Sequence, residues 1–406
     1  MSTVKRLTLL GAVAGLAVTA WLLRPGSAPP AAPENRLSLR RAMAPGDTAG
    51  FARALEPRPF TFPADHGPHP EFQVEWWYFT GNLSAAEPAS SATTEPGVPD
   101  GGDRFGYQLT FFRSALRPPA SAATDGASSA WSADQIYMAH LGLTDGAAER
   151  FHSFERFARG AVGLAGARAR PLRVWLEDWS AEAVGDDGPF PLTLRASEAG
   201  VGLELTLEAE KPLVLQGDAG LSRKGPTPGN ASYYYSYTRL RTRGRLELPG
   251  RTVEVRGTSW LDREWSTSAL EPDVVGWDWF ALQLSDGREL MFYRLRRADG
   301  SGSPFSSGTV VDPDGGRTRL ELGDVELAER STWASPATGA VYPSGWSLSS
   351  ELAGVDLVIE PLVRAQEHTS SVVYWEGAVG VTGSSGGREV RGVGFVELTG
   401  YELRDG

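Results

Sequence analysis

The sequence has no cysteine, only 4 methionines and 5 histidines among its 406 residues, and no long run of basic charge. The missing cysteine excludes disulfides, thiol nucleophiles, thiolate metal sites and a lipoprotein anchor, though not an oxidising compartment. A formal net charge of -11, with no concentrated cationic surface, excludes nucleic acid as a partner. The histidines lack His-x-His or His-Glu-x-x-His spacing, so no metal is expected. Gly-x-Ser-x-Gly elbows, phosphate-binding loops and dinucleotide fingerprints are missing too, which removes elbow-type hydrolysis and nucleotide chemistry and implies no cofactor. Long helical patterns are scarce.

What the chain does have is turn formers and aromatics. Gly 48, Pro 28, Trp 13 and an aromatic content of 10% fit an all-β protein with many short strands. The length exceeds one ordinary core, which predicts two domains. At the N-terminus Lys5 and Arg6 precede an apolar run, Leu7–Leu23, and Arg24 follows. Residues 1–28 read as a signal peptide ending at Gly26-Ser27-Ala28, or as an uncleaved N-terminal membrane anchor. Residues 29–55 form a Pro/Ala-rich tether. The expected location is therefore exported: periplasmic, or anchored to the outer face of the cytoplasmic membrane.

The densest strand signal runs from Val74 to Leu83, after Asp65-His66-Gly67-Pro68-His69. Alternation places Glu75, Trp77 and Phe79 on one face, and Trp76, Tyr78 and Thr80 on the other. An ionisable residue in step with large aromatics means either a barrel wall with an anchored charge or a ligand pocket. Further strands are expected at Arg104–Arg113, Gln135–Leu143, Val174–Trp179, Leu192–Ala196, Leu203–Glu208, Tyr233–Arg239, Arg243–Leu248 and Thr252–Trp260, and Ala85–Gly102 reads as a low-complexity loop. Phe151–Arg159 fits either a short helix or an irregular aromatic stretch.

The chain then repeats itself. Gly276–Arg294 echoes Glu75–Ser84 followed by Asp103–Arg113; Trp346–Ile359 echoes Pro191–Leu205; and Gly387–Glu397 echoes Gly250–Asp262. Three echoes in one order predict two related β units, residues 56–267 and 268–406, each large enough for a small antiparallel barrel.

Within Gly257–Ser266 the alternation puts Trp260, Asp262 and Glu264 on one face. Two carboxylates beside an indole raise each other's pKa, so one of them can stay protonated near neutrality and act as an acid. Asp262 and Glu264 are the candidate catalytic residues. Candidate ligand-contacting residues are His66, Glu75, Trp76, Trp77, Tyr78, His140, Trp260, Trp277 and Trp279, the indoles offering walls for an apolar ligand and faces for a cation. His152 and His368 read as surface or loop residues.

His69–Leu83, Trp260–Ser266, Trp277-Asp278-Trp279-Phe280 and Phe395–Tyr401 together resemble the AttH and carotenoid 1,2-hydratase-like family, over about Pro59 to Tyr401. The resemblance implies two tandem lipocalin-like antiparallel β-barrels. It also implies one of two activities. In the transport-associated branch the protein binds a lipophilic small molecule, a lipid or isoprenoid, beside an ABC-type permease, with membrane association through the N-terminus. In the other branch it is a cofactor-independent lyase that adds water to a terminal alkene, with Asp262 as the acid and Trp260 and Trp277 near the cation. Thr258, Ser259 and Arg263 surround Asp262 where the hydratase pattern has histidine, which, with the exported N-terminus, points to the first branch.

Overall fold

A computed structural model of the chain describes residues 37–38, 48–86, 103–119, 134–186, 188–268 and 270–401. The apolar N-terminal run, most of the tether and most of the 85–102 loop lie outside the described residues. The protein is nearly all β, built from two large antiparallel sheets. The described residues include two short 3₁₀ turns, Ala64–His66 and Leu322–Asp324. Among the described residues no helix is long and apolar enough to cross a membrane.

The first sheet contains β1 (Val74–Ala85), β2 (Arg104–Ala115), β3 (Gln135–Asp145), β4 (Arg150–Arg159), β5 (Ala165–Ala169), β6 (Leu172–Leu176), β7 (Trp179–Ala183), β8 (Leu192–Glu198), β9 (Val201–Ala209), β10 (Ala231–Leu248) and β11 (Arg251–Ser266). Their order is β4-β3-β2-β1-β11-β10-β9-β8-β7-β6-β5, with Val214–Leu215 and Leu221–Arg223 pairing on β10. The segment 151–159, ambiguous in the sequence, is strand. Phe151, Phe154 and Phe157 recur every third residue and give no strand alternation; what makes the segment a strand is its backbone, which completes the ladder on β3 from Ile136↔Arg159 to Asp145↔Arg150. The sheet curls until it is nearly a barrel. Arg156 on β4 reaches Glu198 at 2.8 Å and also bonds Asp178, and its guanidinium lies 4.5 Å from the Trp179 ring.

The second sheet contains β12 (Val274–Leu284), β13 (Glu289–Arg297), β14 (Ser307–Val311), β15 (Arg317–Glu321), β16 (Glu326–Glu329), β17 (Trp346–Ser350), β18 (Val355–Pro361), β19 (Val372–Ser385) and β20 (Arg388–Leu398). Its order, β15-β14-β13-β12-β20-β19-β18-β17-β16, repeats the plan of the first: the opening strand pairs with the closing one, and meanders run outward from that seam. The three sequence echoes fall on β1–β2 and β12–β13, on β8–β9 and β17–β18, and on β11 and β20. Registers match as well. Asp262 sits opposite Tyr78 and Ser236, and Glu397 sits opposite Trp279 and Glu376. Gly244 on β10 and Gly383 on β19 each have positive φ, and an added Cβ would lie 2.0 Å from the Glu204 or Asp356 carbonyl oxygen. Only glycine allows so close an approach.

Each sheet fills its own interior. Leu109, Leu141, Leu205, Leu207 and Leu240 are fully buried in the first, and Phe280, Leu282, Trp346, Leu348 and Leu357 are almost completely so in the second. A third apolar cluster lies where the sheets meet and includes Tyr78, Tyr234, Trp260, Trp279, Tyr293 and Phe395. The contact is close: a Cβ on Gly106 of β2 would sit 2.4 Å from the Ala378 Cβ of β19. Gly106→Val therefore forces the sheets apart, and a destabilisation of roughly 1–3 kcal/mol, the usual cost of overpacking, is expected in urea unfolding.

Candidate functional site

The alternation of β1 and β11 decides what faces the neighbouring sheet. Trp77, Phe79 and Leu261 point into the first sheet's core, so Trp76, Tyr78, Trp260, Asp262 and Glu264 must point the other way. Opposite them β12 contributes Trp277 and Trp279, β13 Tyr293, β19 Tyr374 and Glu376, and β20 Glu397. These walls enclose a cleft of about 220 Å³ between the two sheets, not inside either.

Four carboxyl groups meet there. Asp262, 3% exposed, accepts hydrogen bonds at Oδ1 from Trp260 Nε1 (2.6 Å) and Ser236 Oγ (2.5 Å), and at Oδ2 from the Tyr234 hydroxyl. Burial nevertheless outweighs these bonds, with the Glu264 charge adding to it, and pushes the carboxyl up to about 7. Oδ2 holds one protein partner to the two on Oδ1, so it has room for the acid proton. Glu397 is pushed up to about 8 by burial and by the charges of Asp262 and Glu264, against a hydrogen bond from Trp277. Glu376 is raised well above the carboxylate range by burial and by Glu397, its direct cross-strand neighbour. The Tyr78 hydroxyl donates to Glu376 Oε1 at 2.5 Å, and Tyr374 bonds the same carboxyl. Burial and these carboxylates raise Tyr78, Tyr234 and Tyr374 far above the ordinary phenol value, so all three keep their protons.

Glu264 differs from the other three. It bonds Ser232 and lies 3.3 Å from the Lys224 ammonium, which in turn sits 4.1 Å from the centre of the Tyr293 ring. Burial alone would lower Lys224, but Glu264 and Tyr293 reverse the sign and keep it charged. At neutral pH the cleft thus holds several neutral acids, one cation–carboxylate pair and aromatic faces. It can donate a proton to an apolar guest, stabilise a cation formed from it and limit access of bulk water.

The structure brings together Trp76, Tyr78, Asp262, Glu264, Trp277 and Trp279 in the cleft wall and sets Trp260 behind Asp262 as a hydrogen-bond donor. His140 stands one step back, with Nδ1 2.7 Å from the Tyr374 hydroxyl. His66, Glu75 and Trp77 are elsewhere. They face the first sheet's interior, with His66 Nδ1 2.7 Å from the Tyr235 hydroxyl and Trp77 Nε1 donating to the His66 carbonyl at 3.0 Å. Glu75, fully buried, binds Arg113 and Arg263, and Arg263 also stacks 3.8 Å over the Trp77 ring. Of the two readings its alternation allowed, it is the anchored charge of a barrel wall. His368 is not a surface residue but 1% exposed, in the short strand Glu367–Thr369 on β19.

Sequence reasoning missed Lys224, Tyr234, Tyr374, Glu376 and Glu397. A signal for Glu397 was present. The echo that aligns Gly257 with Gly392 aligns Trp260 with Phe395 and Asp262 with Glu397.

A model of the AttH-like family matches residues 53–401. Among solved structures, one described as an AttH from Nitrosomonas europaea is 34% identical, covers 86% of this chain and 100% of its own, and has a TM-score of 0.72. Kievitone hydratase from Nectria haematococca shares the fold at 15% identity, covering 91% of this chain and 97% of its own, with a TM-score of 0.62. CghA, solved with Sch210972, does so at 13% identity, covering 89% and 98%, with a TM-score of 0.52. No curated protein matches. The family match spans both sheets and the cleft between them, and the chain belongs to the AttH-like family.

Proposed function

We propose that the chain takes the end of a lipophilic, unsaturated small molecule into the intersheet cleft and adds water across its double bond by acid catalysis. The observation that carries this reading is Asp262, a carboxyl poised to hold its proton near neutrality among the indoles of Trp76, Trp260, Trp277 and Trp279. Protonation by Asp262 of the less substituted carbon of a branched alkene leaves a tertiary cation on its branched neighbour. The faces of Trp277 and Trp279 and the Glu264 charge stabilise that cation, and water then adds. A cavity of about 220 Å³ is below the usual range for a whole drug-sized ligand. It suits the terminus of a chain whose remainder lies outside.

The 34% identity to an AttH protein, against 15% to a hydratase, favours a second reading. There the same cleft carries a lipid or isoprenoid, unchanged, for an ABC-type envelope permease. The apolar run Leu7–Leu23 supports an exported setting for either. The readings part on one experiment. The purified full chain is incubated with lycopene, an acyclic carotenoid, in ¹⁸O-water, and the extract is analysed by mass spectrometry. A labelled hydroxylated product, missing with Asp262→Asn, is the expected result. Lycopene bound and recovered unchanged would replace the lyase with the carrier.

A further inference from the structure

The paired tyrosines of the two sheets end differently. The Tyr234 hydroxyl, bonded to Asp262, has the Trp279 Nε1–H at 3.3 Å as its other partner, and an indole cannot pass a proton onward. The Tyr374 hydroxyl, bonded to Glu376, also meets His140 Nδ1 at 2.7 Å. His140 Nε2 then lies 3.0 Å from Glu155 Oε2. Glu155 is half-buried on β4, holds its charge through His140 and Ser371 against the cost of burial, and takes the Ser371 amide and hydroxyl at 3.1 and 2.7 Å. Four residues from β3, β4 and β19 thus form a row that leads from the cleft lining to the half-buried Glu155.

We propose that Glu376, Tyr374, His140 and Glu155 form a proton path between the cleft and solvent. Both ends of the transfer satisfy every hydrogen bond in the row. With Glu376 protonated, the Tyr374 hydroxyl donates to Nδ1 of a neutral His140, whose Nε2–H donates to Glu155. When the proton has moved, Tyr374 donates to the Glu376 carboxylate instead, and the imidazolium donates to both Tyr374 and Glu155. No heavy atom changes partner. The other groups facing this row are Tyr78 and Glu397 beside Glu376, and His368, whose ring stacks on Tyr374 at 4.6 Å and lies 5.7 Å from His140. Burial and the His140 charge hold His368 far below the ordinary imidazole value, so it stays neutral and adds no competing charge.

In catalysis this inference rests on the hydration reading. Asp262 gives its proton to the alkene carbon, the added water forms the C–O bond, and that water loses a proton to the Glu376 carboxylate. The proton that Glu376 had already passed to His140 leaves through Glu155. Asp262 regains one from water when the product departs, so one proton leaves and one returns. Glu376 is then a catalytic base, and Tyr374, His140 and Glu155 act through it.

The test needs no ligand. When the full chain is mixed into D₂O, each protonated carboxyl reports its own H/D exchange through its infrared C=O stretch; bands are assigned with Glu376→Gln and Asp262→Asn. Tyr374→Phe and His140→Phe should slow exchange at Glu376 roughly tenfold or more, while exchange at Asp262 is unchanged. Glu155→Gln, at the surface, should slow it too and keeps the test decisive if a buried variant fails to fold. A merely structural role predicts the opposite sign, because loosened packing speeds exchange. Unchanged or faster exchange at Glu376 in the folded variants overturns the path. Failure of lycopene hydration overturns the hydratase and leaves this exchange measurement standing.

Discussion

Asp262→Asn loses lycopene hydration by on the order of a thousandfold, retains the bound ligand, and makes the protein more stable than wild type at neutral pH. The two effects share one cause. Asparagine keeps the shape and most of the hydrogen bonds with Ser236, Tyr234 and Trp260, but it has no transferable proton and no charge to bury. In the wild type the folded carboxyl is raised to about 7 from an ordinary 3.8. The folded state therefore binds more protons than the unfolded one across that interval, and stability falls as pH rises. This contribution is fully present below about pH 3.8 and gone above about pH 7. The span, 7 − 3.8, amounts to about 4 kcal/mol at 1.36 kcal/mol per pH unit. Urea unfolding at pH 5 and pH 8 checks the sign: the variant's advantage should grow with pH. An advantage that is flat or shrinks places the acid elsewhere.

Glu75→Gln is expected to be the most damaging single change in the first sheet, costing about 3–5 kcal/mol. Glu75, Arg113 and Arg263 are all fully or almost fully buried, and Glu75 is the carboxylate between the two guanidiniums. Neutralising it leaves like charges facing each other with no water to solvate them. Burial alone would raise Glu75, but the two arginines and His69 reverse the sign and hold it well below the usual carboxylate range. Its contribution is thus present above the ordinary value of 4.5 and is lost only as pH falls far beneath it. Chemical unfolding at pH 7 and pH 3 should show a large gap between variant and wild type that narrows in acid.

Local pattern carried much of this structure. The period-two alternation of β1 and β11 separates Trp76 and Tyr78 from Trp77, and Asp262 from Arg263, and it holds because one face must pack on leucine and the other must not. The echoes located the repeated plan because each repeat must pair its first strand with its last. What alternation cannot encode is the partner across a gap. Glu75 and Asp262 look alike in sequence, each a carboxylate beside an indole. The arginines that reach Glu75 come from its two neighbouring strands, Arg113 from β2 and Arg263 from β11, 188 residues on. Glu376 has no local signature at all. Trp375-Glu376-Gly377 is unremarkable until β19 is laid against β1, where Tyr78 finds it. His368 looked superficial for a similar reason, since Gly142 and Phe151, distant in the chain, close over it together with Tyr374.

The pairing of each sheet's first strand with its last also governs when this protein can become itself. β1 cannot complete its ladder until residue 266 exists, nor β12 until residue 398 does. Contacts of such sequence separation pay their loop-closure entropy before they return any stability, and they slow folding accordingly. During synthesis the first sheet can close while the second is still unmade. For that interval Trp76, Tyr78, Tyr234 and Trp260 face solvent as an uncovered aromatic surface, and Asp262 lacks much of the burial that raises it. The acid strength of Asp262 is thus acquired late, with the arrival of the last strand rather than the folding of its own.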